Sequence, residues 1–245
     1  MTSRTDRKVV RTRNTIIAFV ALVAFLVIGY GTVYTTGVTE GDYLAGEHYR
    51  VIDDPPRRRA GEPILVQEFF SYGCVHCRNF DPLLDDWQEN KSQNAEFARS
   101  PVAFSPIWQL LAQTYYALDS LDALEANHLR LFRAIHDNGR QFLSADMIAD
   151  YIDGNGASKE EFLRAFESPE VRRRMREAEA RQSKFVITSV PTLVVGGKYV
   201  VNMDVGRKAS LDVVDHLIAL ELQGELTGGP RAEGAEEPAA ADAGR

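Results

Sequence analysis

From Thr15 to Thr39 the chain carries no charge, and its middle, IIAFVALVAFLVIG, has no polar face. About 20 such residues, at 1.5 Å each, match a hydrocarbon core of about 30 Å, so residues 15–36 predict a membrane-spanning helix. After a polar stretch the pattern shifts to strands. PILVQEFFSY (63–72) is a continuous apolar, aromatic and β-branched run that ends at Gly73, which predicts a buried strand. Phe80, Leu83, Leu84 and Trp87 follow at helical spacing, with Pro82 predicted to kink the helix. AEFARSPVAF (95–104) predicts a second strand, giving strand–turn–helix–strand, the opening of a βαβ unit.

Residues 106–187 are helical in period. Trp108, Leu111, Ala112 and Tyr115 form one stripe, Leu124, Leu131, Phe132 and Ile135 a second, and Met147, Ile148, Tyr151 and Ile152 a third that stops at Gly154. Ser158 with Glu161 makes a capping box before Phe162, Leu163 and Phe166, and Ser168-Pro169 opens a last long helix. The strand pattern returns in SVPTLVVGGKYVVN, where two short β-branched runs flank Gly196-Gly197 as in a tight hairpin. SLDVVDHLIALELQ (210–223) closes the fold as an amphipathic helix. The expected fold class is α/β: a strand–helix domain at 63–225, with a helical insertion at about 106–187, behind an N-terminal transmembrane helix.

Charge and composition sharpen the two ends. Arg4, Arg7, Lys8, Arg11 and Arg13 precede the apolar run, so residues 1–14 are expected in the cytoplasm and the folded part outside the membrane. Arg57, Arg58 and Arg59, on the other side, sit at the limit of distance over which that rule acts. A cleavable signal peptide is the competing reading, but the small-x-small pattern is weak, with Gly29-Tyr30-Gly31 the nearest. Residues 37–62 are read as a linker running into an edge strand. Residues 226–245 hold too little apolar surface to offset their ordering entropy and are expected to be disordered. The net charge of −7 and pI near 5.3 argue against a whole-protein affinity for nucleic acid.

The candidate chemistry lies between the first strand and its helix. Both cysteines of the chain are there, Cys74 and Cys77 in CVHC. Zinc needs about four ligands, and His48, His128, His136 and His216 are scattered without paired spacing, so no metal is expected. Haem attachment would require His where Arg78 stands. As a structural staple, a C-x-x-C ring closes too short a loop to restrain the unfolded chain much. A redox pair fits better. Unpaired N–H groups and the positive end of the dipole at a helix start favour a Cys74 thiolate, and His76, if protonated, adds charge beside it. Cys77, one turn in, is expected to be the less exposed partner. Glu68 stands six residues before Cys74, on the strand face of Ile64, Val66 and Phe70. Two readings of it stay open: a carboxylate reaching solvent or an arginine, or a buried proton acceptor beneath the cysteines with its pKa raised by burial.

EFFSYGCVHC, the helix with Pro82, the helical insertion and SVPTLVVGGKYVVN together resemble the DsbA-type thiol:disulfide oxidoreductases of the thioredoxin fold, over about residues 47–223. The resemblance implies Cys74 as nucleophile, Cys77 as its partner, His76 as thiolate stabiliser, Glu68 as buried acid, and Val190-Pro191 as a cis-proline loop that meets substrate. It implies no dissociable cofactor beyond the Cys74–Cys77 disulfide itself. The implied substrates are reduced or misoxidised exported proteins, and the implied reoxidant is a quinone-linked thiol oxidase in the bacterial cytoplasmic membrane. Two features depart from the family's commonest form: Val75 stands where strongly oxidising members carry Pro, and the anchor replaces a soluble form. The first leaves the direction of exchange open between oxidase and reductase or isomerase. A tethered, non-catalytic peptide-binding or chaperone-like module is the reading from another class. Elsewhere, His128 is expected to be packed or hydrogen-bonded, Tyr115-Tyr116 to be core, and Arg172, Arg173, Arg174 and Arg176 to form a solvated helix face.

Overall fold

The computed structural model describes residues 43–227 except Ala60, together with three isolated positions, Ile17, Leu22 and Val23; side chains are described as far as Gly224. The expected cytoplasmic segment, almost all of the anchor, and the tail beyond Thr227 therefore lie outside the described residues. Among the described residues no helix is long and apolar enough to cross a membrane.

Five strands form one sheet in the order β1-β5-β4-β2-β3 among the described residues. Strand β2 (Ile64–Phe70) sits between β3 (Ala95–Pro101), which runs parallel to it, and β4 (Thr192–Val195), which runs antiparallel. β5 (Tyr199–Val201) follows β4 through Gly196 and Gly197, whose φ values of 60° and 64° are those of the predicted two-residue hairpin turn. A short β1 (Tyr49–Val51) pairs antiparallel with β5 at the edge, within the segment read as linker and edge strand.

Helix α1 (Val75–Asn90) connects β2 to its parallel neighbour β3 and retains Pro82 in its interior. The insertion then supplies α2 (Pro106–Asp119), α3 (Leu124–His136), α4 (Ala145–Ile152), α5 (Lys159–Phe166) and α6 (Pro169–Lys184). The Ser158–Glu161 capping box forms with both reciprocal bonds, and Ser168 caps α6 ahead of Pro169. Helix α7 (Arg207–Thr227) begins earlier than the apolar pattern indicated and overruns the expected boundary at 225 by two residues.

The two sheet faces are covered differently. Ile64, Val66, Leu193 and Val195 pack against Phe80 and Leu84 of α1 and Val213, Val214 and Leu217 of α7. Phe69, Val194 and Val200 meet Phe185 and Ile187, which lead from α6 back to the sheet. A third cluster, with Leu118, Leu131, Phe132, Ile152 and Phe162 at its centre, is the core of the insertion, and it reaches Phe70, Tyr72 and Cys77. The cysteine pair therefore sits where the sheet domain meets the inserted helices.

Tyr115 and Tyr116 are core residues, as expected. Met147 is not: it is exposed, and Ile148, Ala149 and Ile152 carry the buried face of α4. Arg174 departs from the solvated face assigned to the α6 arginines, since it ion-pairs with Asp119 and lies 4.6 Å over the Tyr116 ring.

Candidate functional site

The predicted strand 63–72 ends at Phe70, because Ser71 turns the chain. The Ser71 carbonyl accepts the Cys74 N–H at 3.0 Å and its hydroxyl accepts the Gly73 N–H at 3.1 Å. This turn delivers Cys74 to the N-cap of α1 in an extended conformation, φ −102° and ψ 115°. There its sulfur takes the place of a capping oxygen and accepts the Cys77 N–H at 3.4 Å. Gly73 is required by a close approach: a Cβ there would stand 2.5 Å from Trp108 Nε1, so the α2 indole lies directly against the turn.

The two sulfurs differ sharply. Side-chain hydrogen bonding with Cys77 is the largest influence on Cys74; together with backbone N–H groups and the charge of His76 it outweighs burial and lowers the pKa from 9.0 to about 6. Cys77 is fully buried, and burial, then the bond with Cys74 and the charge of Glu68, push its thiol far upward. Both are free thiols here.

The Val190–Pro191 peptide bond is cis, and the Val190 carbonyl lies 3.5 Å from Cys74 Sγ. The fold thus brings together Cys74, Cys77, His76, Val190 and Pro191, residues 116 apart in sequence in the case of Val190 and Cys74.

Glu68 reaches an arginine, as the first reading had it, and is buried with a raised pKa, the environment the second reading assumed. It is 2% exposed, and Arg99 Nε donates to its Oε2 at 3.1 Å. Burial still dominates, raising its pKa to about 8 although Arg99 acts in the opposite sense. Arg99 escaped the sequence reading, as did its second partner Asp81, whose Oδ1 accepts from Arg99 Nη2 at 2.7 Å. The signal was the parallel register, which sets Arg99 opposite Glu68, but a register is not visible until strands are paired. His128 is a hydrogen-bonded core residue, as expected, between the Tyr72 hydroxyl and Asp81. Among the described residues, no three His, Cys, Asp or Glu side chains are grouped to hold a metal ion.

A helix-capping cysteine with a lowered pKa, a buried partner thiol and an adjacent cis-proline on this sheet define a thioredoxin-fold thiol:disulfide oxidoreductase. Residues 65–217 match the family model of the DSBA-like thioredoxin domain, and the chain belongs to that family. It is 31% identical over 205 residues to the thiol:disulfide interchange protein DsbA of Pseudomonas aeruginosa, covering 82% of this chain and 96% of that one. The DsbA of Azotobacter vinelandii is 30% identical over 188 residues, 75% of this chain and 87% of its own. Among solved structures, P. aeruginosa DsbA superposes with a TM-score of 0.70 at 33% identity, over 75% of this chain and 96% of that one. Xylella fastidiosa DsbA gives 0.68 at 32%, over 73% and 97%. The Cys74–Cys77 pair is the redox centre of this disulfide exchange, and the insertion is the one those structures carry.

Proposed function

We propose that this protein oxidises exported polypeptides outside the cytoplasmic membrane, to which residues 15–36 tether it. A substrate thiolate attacks Cys74 Sγ of the Cys74–Cys77 disulfide. The Cys74–Cys77 bond breaks, a bond from Cys74 to the substrate forms, and Cys77 leaves with the electron pair and takes up a proton. The substrate's second thiolate then attacks its own sulfur in the mixed disulfide, expelling Cys74 as a thiolate. The substrate is oxidised by two electrons and the enzyme pair is reduced by two.

The observation that carries this direction is the asymmetry of the sulfurs. A Cys74 pKa near 6 rather than 9.0 favours its thiolate by about 4 kcal/mol. That favours the dithiol form and makes the disulfide more oxidising than it would be with an unshifted Cys74. His76 supports the thiolate by its charge. Val190 offers its backbone to a substrate chain passing beside Cys74, with Pro191 shaping the loop. Glu68, protonated near neutral pH, supplies the proton that Cys77 needs, by way of intervening water. A quinone-linked membrane thiol oxidase, as the family resemblance implies, returns the pair to the disulfide. Redox titration against glutathione tests the direction: a potential near that of thioredoxin, about −270 mV, would assign a reductase instead. A Cys77→Ser variant should accumulate mixed disulfides through Cys74 in cells, and a clean blank there would remove the exchange role.

A further inference from the structure

Glu68 is not walled in alone. Asp81 of α1 is 2% exposed, and its Oδ1 lies 2.7 Å from Arg99 Nη2 and 3.0 Å from His128 Nε2. On the other side of that ring, His128 Nδ1 is 2.9 Å from the Tyr72 hydroxyl. Chemistry settles the direction of each bond. A guanidinium only donates and a carboxylate only accepts. His128 Nε2 therefore carries the hydrogen given to Asp81, and Nδ1 of the neutral ring accepts from Tyr72. The chain of donation reads Tyr72 to His128 to Asp81, with Arg99 donating to both Asp81 and Glu68.

The contest for Arg99 is unequal. Asp81 has the shorter bond, 2.7 Å against 3.1 Å, and the histidine donates to Asp81 as well. Burial works against the Asp81 carboxylate, yet His128 and Arg99 hold its pKa down. Glu68 is left with a shared cation and a fixed anion nearby. Asp85, half exposed and 3.5 Å from Arg99, adds a weaker, solvent-screened anion to the same side. The other Asp81 oxygen, Oδ2, is buried without a hydrogen-bond partner. A carboxylate kept for packing alone would be a poor choice in such a place.

We propose that Asp81 is a positioning residue for disulfide exchange: held by His128, it draws Arg99 away from Glu68 and so keeps Glu68 able to hand a proton to the departing Cys77. This rests on the reading of Glu68 given above. With Arg99 undivided, Glu68 would be more acidic and less of it would hold a proton at neutral pH. The arrangement also ties the insertion to the redox centre, because His128 belongs to α3 while Asp81, Arg99 and Glu68 belong to α1, β3 and β2.

The test is a carboxyl ¹³C NMR titration of the full chain in its dithiol form, with the Glu68 signal assigned by its loss in Glu68→Gln. The pH profile of exchange with a reduced two-cysteine peptide is measured alongside. Asp81→Asn keeps the shape and the acceptor oxygen but removes the charge. It should lower the Glu68 midpoint by about one pH unit or more, with the exchange profile moving down in parallel. An elevated Glu68 midpoint that Asp81→Asn leaves in place overturns the proposal and spares the Glu68 reading. A wild-type Glu68 that titrates in the ordinary carboxylate range overturns both. If Asp81→Asn does not fold, the wild type still decides: ¹⁵N spectra must show His128 neutral with hydrogen on Nε2, and Asp81 ionised, across the range in which Glu68 titrates. A protonated Asp81 or a charged His128 there sinks the proposal.

Discussion

At the scale of single residues, the chemistry comes from unequal environments for like groups. Cys74 and Cys77 are the same side chain one helical turn apart, yet one sulfur receives N–H groups while the other is governed chiefly by burial. Iodoacetamide alkylation of the reduced protein should therefore titrate near pH 6 at Cys74, while Cys77 stays unreactive through neutral pH; a single midpoint near 9 for Cys74 would contradict this. Glu68 and Asp81 form a second unequal pair around one cation. Replacing Arg99 with Met strands a buried carboxylate, and denaturant unfolding should show a loss of about 3–5 kcal/mol. The residue type at 68 was legible from sequence as an acid out of place in an apolar strand. Its partner was not, since Arg99 reads as an ordinary strand charge until β2 and β3 are in register.

At the scale of elements, the turn between β2 and α1 sets the position of the reactive sulfur. Ser71 ends the strand, and Gly73 leaves room for the Trp108 indole. Gly73→Ala places a methyl 2.5 Å from Trp108 Nε1, so either the indole or the turn must move. The expected result is a loss of about 1–3 kcal/mol with slower exchange toward substrate, measured by thermal unfolding and single-turnover kinetics. A variant with unchanged stability and rate would show that the indole is free to swing aside. The capping signals at Ser158 and Ser168 were plain in the sequence because they act within four residues. The Trp108 contact was hidden because it crosses from the insertion to the redox turn.

At the scale of the whole molecule, the redox state and pH act on stability together. Cys74 has a folded pKa of about 6, below its ordinary 9.0, so the unfolded chain binds that proton more tightly. Its contribution to the dithiol form is complete above pH 9, shrinks below it, and is lost as pH falls through 6. Glu68 runs the opposite way: its folded pKa of about 8 lies above 4.5, so its effect favours the fold at low pH and fades as pH rises through 8. In Glu68→Gln the second effect is gone, and the stability of the dithiol form should climb from pH 6 to pH 9 in denaturant titrations. A flat or falling curve would mean Cys74 is not held as a thiolate. The proposed tether has its own check: a chain lacking residues 1–36 should be recovered in the soluble fraction and keep its exchange activity, and continued membrane association would remove the anchor reading.

Most of the fold's plan was already written in local order. Helices, caps, the Gly196-Gly197 hairpin and the C-x-x-C after a strand each depend on residues a few positions apart, and such short-range constraints survive in a linear string. The inserted helices announced themselves by period, and the cysteine pair by its place between a strand and a helix. What waited for the folded chain was every relation between distant segments: Val190 beside Cys74, Arg99 shared between Glu68 and Asp81, and His128 joined to Tyr72. Those depend on strand register and on how the insertion docks, and both are set by burial summed over the whole core rather than by any short stretch of sequence.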